Sequence, residues 1–511
     1  MYLTVSQIDG MIALLSGARP DFFTRVPLNE PSIEGRVVNG IRLHAGTDTS
    51  RRSVLVLGGT HARELMNPDA IIDLAIDLFL SYENGTALKY GNRTWPAAEI
   101  RIILNALDVW LVPCTNPDGR QYVLSTDEMW RKNRRINPNA TREICHGVDL
   151  NRNADFMWGV TMGNTSCDAC TNVYCGPQAF SEPETRNIRQ LLDTQDFVTF
   201  LDVHSYSELV LYPWGHAPTQ STDPTKRFMG LPTGTCTPSV PAGYAEYMPA
   251  RDVQRFQTVS RKIVADIKAV RGHQYTAKTI RELYPCTGTL SDFAYSRHIK
   301  TAGLAKTYGF SYETGPAVFT TNGMLDEPTS FHPPDPTPIQ KEIKAGIVSL
   351  LQQSVCAIDL IGSSLFSSGT PLDAMRRFRD DVLSQRPQGR EWIALYERAQ
   401  FGLLAAVLRR PKLLTQANAL LKSATGWLKE EDARIPEDDI RRALDLIQQL
   451  RALVTDRSLR QDLAAVTTQV KAARGRTVRE AFSALLRVAP AGAARAKSAA
   501  TAKKKKARIT R

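Results

Sequence analysis

The sequence lacks any apolar run approaching the roughly 18 residues that a membrane-spanning helix needs. Its opening, Met1-Tyr2-Leu3-Thr4-Val5-Ser6, lacks the basic start and apolar stretch of a signal peptide. Taken as written, the chain is expected in the cytoplasm; a start lying further upstream would allow secretion. Residues 361–511 contain no histidine and no cysteine, although the chain has eight of each. Metal or nucleophile chemistry based on those side chains is therefore excluded from the last third. Acid is nearly missing from the end, where residues 471–511 hold 13 Lys and Arg against one acidic residue.

What is present is an ordinary globular composition, 42% hydrophobic and 23% charged, able to bury a large core over 511 residues. The net charge of +12 is unevenly placed. Residues 1–360 carry 34 Lys and Arg against 37 Asp and Glu, net −3; residues 361–511 carry 30 against 15, net +15. The basic character thus belongs to the C-terminal part. Four cysteines cluster, at Cys145, Cys167, Cys170 and Cys175. Their spacing departs from paired C-x-x-C, which favours a disulfide or free thiols over a structural zinc site.

The chain is organised around Gly58-Gly59-Thr60-His61-Ala62-Arg63-Glu64. It follows Val54-Leu55-Val56-Leu57, an apolar β-branched run that reads as a buried strand. It precedes Asn67-Pro68-Asp69, which reads as a helix start with Asn67 as N-cap and Pro68 at the first helical position. His61 and Glu64 are therefore expected on a tight loop at the carboxyl end of a strand, where open α/β sheets place ligand sites. A histidine and a glutamate three apart can close on one metal ion. A helix is expected over Val5 to Leu15 and a strand near Val37 to His44. Val109 to Val112 reads as a strand ending in the turn Asn116-Pro117-Asp118-Gly119. Val198 to Val203 reads as another, ending at His204-Ser205-Tyr206. Strands alternating with helical patterns predict a mixed, mostly parallel α/β sheet with helices on both faces, its two histidines meeting at one edge.

Between these strands lie Trp130-Arg131-Lys132 and Asp149-Leu150-Asn151-Arg152-Asn153. The ordinary reading of such arginines is solvated surface charge. In the strand pattern from Tyr308 to Glu313, Tyr308, Phe310 and Tyr312 face one way, and Gly309, Ser311 and Glu313 the other. Glu313 then borders a cavity or decorates an edge.

Taken together and in order, His61-x-x-Glu64, Asn116-Pro117-Asp118-Gly119, Trp130-Arg131-Lys132, Asp149 to Asn153, His204-Ser205-Tyr206 and Tyr312-Glu313 resemble the zinc metallocarboxypeptidases of the carboxypeptidase A/B type. The resemblance covers about residues 1–360. It implies His61, Glu64 and His204 as ligands of one Zn2+ per chain, with Asp149 holding a ligand histidine in its tautomer. It implies Glu313 as the general base and Arg131 as the group that stabilises the oxyanion. Asn151 and Arg152 match the pair that grips a peptide's terminal carboxylate, and Arg63 an outer substrate contact. Tyr284, in Tyr284-Pro285-Cys286-Thr287-Gly288-Thr289, matches the family's closing tyrosine, although Pro285 stiffens what is elsewhere a mobile flap. Ser291 matches the floor of the specificity pocket, with Leu211, Gly215, Leu283 and Ser311 as walls; none carries a charge. That predicts release of neutral C-terminal residues, Leu, Met, Phe or Tyr, from peptides and proteins.

Residues 361–488 show helical periodicity broken at Arg386-Pro387, Arg410-Pro411 and Ile435-Pro436, which predicts an accessory domain of four to six helices. Residues 489–511 read as a disordered basic tail, either solvated or in contact with an anionic polymer or surface. Two other functions fit the same residues. One keeps the chemistry and acts on cell-wall or side-chain-linked glutamyl peptides. The other is an inactive protein that binds anionic polymers through its tail.

Overall fold

The computed structural model describes residues 2–355 apart from 46–50, 218, 228–236 and 239–243, together with 383 and with 386–487 apart from 409, 429, 431 and 455–456. The expected basic tail, the boundary near residue 360, and Cys236 and Cys356 lie outside the described residues. The chain divides into two compact units, Met1–Ser354 and Val355–Arg511.

The first unit is built on an eight-stranded sheet. In chain order its strands are β1 (Phe23–Pro27), β2 (Asn39–Leu43), β3 (Arg52–Gly58), β4 (Leu107–Val112), β5 (Phe197–His204), β6 (Leu209–Tyr212), β7 (Thr276–Thr279) and β8 (Tyr308–Glu313). Across the sheet they run β1-β2-β4-β3-β5-β8-β6-β7. The central four, β4, β3, β5 and β8, pair in parallel. Antiparallel pairing is confined to β1 with β2, β2 with β4, and β8 with β6. This is the mixed, mostly parallel sheet that the sequence predicts. Val54 to Leu57 are fully buried, as an unbroken apolar run covered on both faces should be.

Both faces carry helices, and β8 displays the division. A Cβ on Gly309 would lie 2.2 Å from Ser291 O, in helix Leu290–Lys300. On the other face, Tyr312 Oη donates to Gly346 O at 2.9 Å, in helix Thr337–Ser354. The period of two along the strand sends the small and acidic residues one way and the aromatic residues the other.

Two local expectations are corrected. Helix Met66–Asn84 begins before Asn67, which is not its cap. Asn67 Nδ2 instead donates to Val203 O (3.0 Å), tying the helix's first turn to β5. Asn116 to Gly119 is not a free turn. Asn116 caps helix Pro117–Ser125, its side chain accepting from Gly119 N–H at 2.9 Å.

The second unit is helical: Pro387–Leu408, Pro411–Trp427, Glu437–Leu453, Arg457–Ala472 and Val478–Leu485 among its described residues. Three of these start at or just after the three prolines that break the sequence pattern, because proline costs nothing in a helix's first turn.

Candidate active site

Three strand ends meet at one edge of the sheet: β3 runs out towards His61, β5 ends at His204, and β8 ends at Glu313. The turn after β3 requires Gly59, whose φ is +61°, and where a Cβ would meet Pro68 at 2.9 Å. The turn folds back until Glu64 N–H donates to His61 O (3.2 Å). His61 Nδ1 then lies 2.7 Å from Glu64 Oε1, and His204 Nδ1 lies 3.2 Å from Glu64 Oε2. The two Nδ1 atoms are 3.0 Å apart. All three side chains are buried. Among the described residues, this is the one group of three or more such side chains whose donor atoms lie within 4.8 Å of one another.

The far side of each ring decides the chemistry of the near side. His61 Nε2 donates to Asp149 Oδ1 (3.1 Å), and His204 Nε2 lies 2.9 Å from Asp202 Oδ2 in an ion-pair contact bent away from hydrogen-bond alignment. Two carboxylates thus favour a proton on each Nε2, leaving each Nδ1 as a lone pair. Lone pairs 3.0 Å apart and facing a carboxylate repel unless positive charge lies between them. Burial opposes the charge of Glu64, yet the two imidazoles, when protonated, hold its carboxyl down to about 2. Two imidazole nitrogens and one carboxylate oxygen are a donor set of catalytic zinc, so these residues fit the ion.

Asp149 links this group to the next. Its Oδ1 also accepts from Asn151 N–H (2.9 Å), and its Oδ2 accepts from Arg131 Nε and Nη2 (3.0 and 2.8 Å). Burial raises the Asp149 carboxyl, but Arg131, Arg152 and His61 outweigh it and hold it well below the usual carboxylate range. Glu313 sits opposite His204 in the β5/β8 register. Burial pushes its carboxyl up to about 8. Positive charge at the neighbouring donor set would draw it back down.

A cavity of about 320 Å³ opens over this edge, lined by Arg63, Glu64, Arg131, Arg152, Tyr284 and Glu313 among others. Arg152 is committed on two of its three nitrogens: Nε donates to Asn164 O and Nη1 to Asn151 O. Its Nη2 is buried and makes no hydrogen bond. Asn151 Oδ1 accepts from Leu290 N–H (2.9 Å), while its Nδ2 lies 3.2 Å from His204 Nε2. The segment after Tyr284 is pressed onto Arg152: Gly288, at φ +69°, would put a Cβ 2.1 Å from Arg152 O. Lys132 clamps the loop beside Arg131, its Nζ donating to Ile144 O and Ala169 O (2.6 and 2.8 Å), and burial pulls its pKa to about 8. Cys145 and Cys170 form a disulfide across that loop.

Ser291 is not among the residues that line the inner recess, which include Asn151, Leu211, Leu283, Tyr284, Cys286 and Ser311. Ser291 stands one layer behind, because its hydroxyl is taken by Phe310 O (3.0 Å) and Ser311 Oγ (2.6 Å). Gly215 is packed against Cys286 and Asp292, and its N–H donates to Asp292 Oδ2 (3.0 Å). Leu211, Leu283 and Ser311 line the recess. Arg63 stacks over Phe331, 4.3 Å from the ring centre, at the outer end. Sequence reasoning missed Asp202 and Phe331. Asp202 had a signal, since two residues before a ligand on one strand puts both on one face. Phe331, on a short helix after β8, had none.

A sequence profile of the Zinc carboxypeptidase family matches residues 8–343. The chain is 32% identical over 225 residues to carboxypeptidase B of Helicoverpa zea, covering 42% of this chain and 47% of that one. It is 32% identical over 197 residues to an inactive metallocarboxypeptidase of Arthroderma benhamiae, covering 36% of this chain and 30% of the other. It therefore spans less than half the length of these curated relatives. Its fold is similar to that of carboxypeptidase A from Helicoverpa armigera, with TM-score 0.51, 22% identity, and coverage of 68% of this chain and 74% of that one.

Proposed function

The chain belongs to the zinc carboxypeptidase family, and from that premise we propose that it hydrolyses the C-terminal peptide bond of peptides, releasing a neutral residue. His61, Glu64 and His204 hold the zinc. Bound there, the metal supplies a Lewis acid for the scissile carbonyl and lowers the pKa of the attacking water. Glu313 takes the proton from that water at its carboxylate and returns it to the leaving amine. Arg131, aimed by Asp149, donates to the carbonyl oxygen as negative charge grows on it. Asn151 Nδ2 and Arg152 Nη2 bind the substrate's terminal carboxylate, and Tyr284 closes over it and excludes water.

The observation that carries this reading is the buried, unpartnered Nη2 of Arg152 beside the zinc donors. A guanidinium donor left bare in a buried site calls for an anion, and a planar carboxylate suits it. Such a grip next to a hydrolytic metal selects the end of a chain over its middle. The complete set of ligands, base and carboxylate donors supports an active enzyme over an inactive binding protein.

The neutral preference rests on the recess. Among the described residues the one acid that lines it is Glu313, which the reaction uses as its base. Glu282 is used up capping its own helix, accepting from Thr279 N–H and Oγ1 (2.7 and 2.9 Å), and Asp292 is held behind Gly215. A buried substrate lysine would stay unpaired at a cost of several kcal/mol, roughly, whereas an aliphatic side chain gains about 1.5–3 kcal/mol. The recess holds only about 10 Å³, the space of one water. Leu283 and Tyr284 therefore swing outward to admit a large side chain. Zinc analysis together with kcat/KM for blocked dipeptides ending in Leu, Phe, Lys and Glu tests the proposal. About one zinc per chain and a preference for Leu or Phe are expected. A clear preference for Lys would overturn the neutral assignment, and no hydrolysis by the zinc-loaded protein would overturn the activity.

A further inference from the structure

Among its described residues the helical unit does not close on itself. Its five described helices surround a cavity of about 560 Å³, and each contributes to the wall: Trp392, Leu420, Leu446, Val466 and Phe482, one from each helix in order. Protein interiors pack as densely as organic crystals, with few voids larger than a water. Here the core is split instead. One buried cluster holds Val407, Leu413, Ile447 and Leu450 among others; a second holds Trp392, Leu395 and Ala399. They are joined through half-buried Leu403, Leu459 and Val466. Such an opening is destabilising if left bare, because the atoms lining it lose their contacts on one side.

The wall is apolar with a few polar groups, chief among them Asp439. Its carboxylate is buried, accepting on Oδ2 from Ser423 Oγ (2.5 Å) and Trp427 Nε1 (2.9 Å), with Arg442 3.6 Å from Oδ1. That fixed negative group disfavours an anionic occupant.

We propose that the C-terminal helical unit is a binding site for a small apolar molecule with a neutral or cationic head, of the size of a medium-length aliphatic chain. Cavity volume favours a small molecule. It lies inside the range of about 300–1,000 Å³ typical of small-molecule sites.

The test uses the full zinc-loaded chain, with 1-aminoanthracene as a fluorescent reporter and decan-1-ol, dodecan-1-ol and laurate as competitors. Saturable binding of one dye per chain is expected. Dodecanol should compete at least tenfold better than decanol, since each methylene is worth about fourfold. Laurate should be at least tenfold weaker than dodecanol, and Asp439→Asn should close that gap. Ala443→Phe, which fills the cavity, should abolish dye binding. Should circular dichroism find that variant unfolded, Ala443→Leu serves, with binding expected to fall at least fivefold. Hydrolysis of a blocked dipeptide, unchanged in each variant, reports an intact first unit. Absence of saturable dye binding, dye binding untouched by either filling variant, or a crystal structure with residues 356–386 or a second copy seated in the cavity would each overturn the proposal.

Discussion

The two units bury different things. The first buries ionisable side chains at its working edge: Glu64, Arg131, Asp149, Arg152, Asp202 and Glu313 all lie out of water, and most are paired with one another. The second buries almost none. Gln400, Asn418, Asp439 and Asp462 are its only buried polar side chains among the described residues. Charge out of water is costly unless each group is partnered. A chain that buries this much charge in one place is holding it ready for a reaction. An apolar bundle with an open centre has little such charge to offer, Asp439 alone at its cavity wall, and contributes mainly apolar contact.

The sharpest way to test that contrast is to remove charge from the first unit. Glu313→Gln should keep about one zinc per chain and lower kcat by about 10²–10⁴, the usual worth of a general base. Turnover within tenfold of the parent would place the base elsewhere. Arg152→Ala should reduce kcat/KM on blocked dipeptides by about 10²–10³, corresponding to roughly 3–4 kcal/mol for a buried charged contact. Equal kinetics on a substrate whose terminal carboxylate is amidated would mean that Arg152 does not hold that group. Asp202→Asn should weaken zinc about 10–100-fold, as losing a histidine's supporting carboxylate does. Competition with a chelator reads this, and an unchanged affinity would make Asp202 an ordinary buried acid.

In the second unit the expected effect moves from rate to stability. Ile447→Ala, in its core, should cost about 2–5 kcal/mol in the unfolding of the bundle and leave dipeptide hydrolysis within twofold. A parallel loss of activity would break the comparison. Deletion after Ala489 should change least: hydrolysis unaltered, with weaker retention on an anionic resin. Collapse of dipeptide hydrolysis in that truncation would tie the tail to the active site.

Much of the first unit was legible because its signals are local. Val54 to Leu57 reads as a buried strand from composition alone, and β-strand period two assigns the faces of Tyr308 to Glu313. Proline marks the starts of helices in the second unit. What was illegible depends on distant partners. Asn67 has every feature of an N-cap, but Val203 O offers its amide a bond that the cap position would forgo. Ser291 stands at the expected position in the chain, yet Ser311 and Phe310 occupy its hydroxyl and hide it. A serine alone does not announce which of its neighbours it will satisfy. The cavity in the helical unit was equally out of reach, since helical periodicity reports which face turns inward and not whether those faces meet.

The pairing of β8 with β5, which sets Glu313 beside His204, also bears on folding fidelity. A slip of one residue would turn every side chain of β8 to the opposite face. Glu313 would then be driven among the helices that cover Tyr312, and the Tyr312 ring into the cleft. A carboxylate stranded there would find no water, and the aromatic would lose its packing. The misregistered chain is thus disfavoured by the same residues that make the correct one competent. Errors of assembly at this edge are unstable as well as inactive, so the ladder proofreads the site it supports.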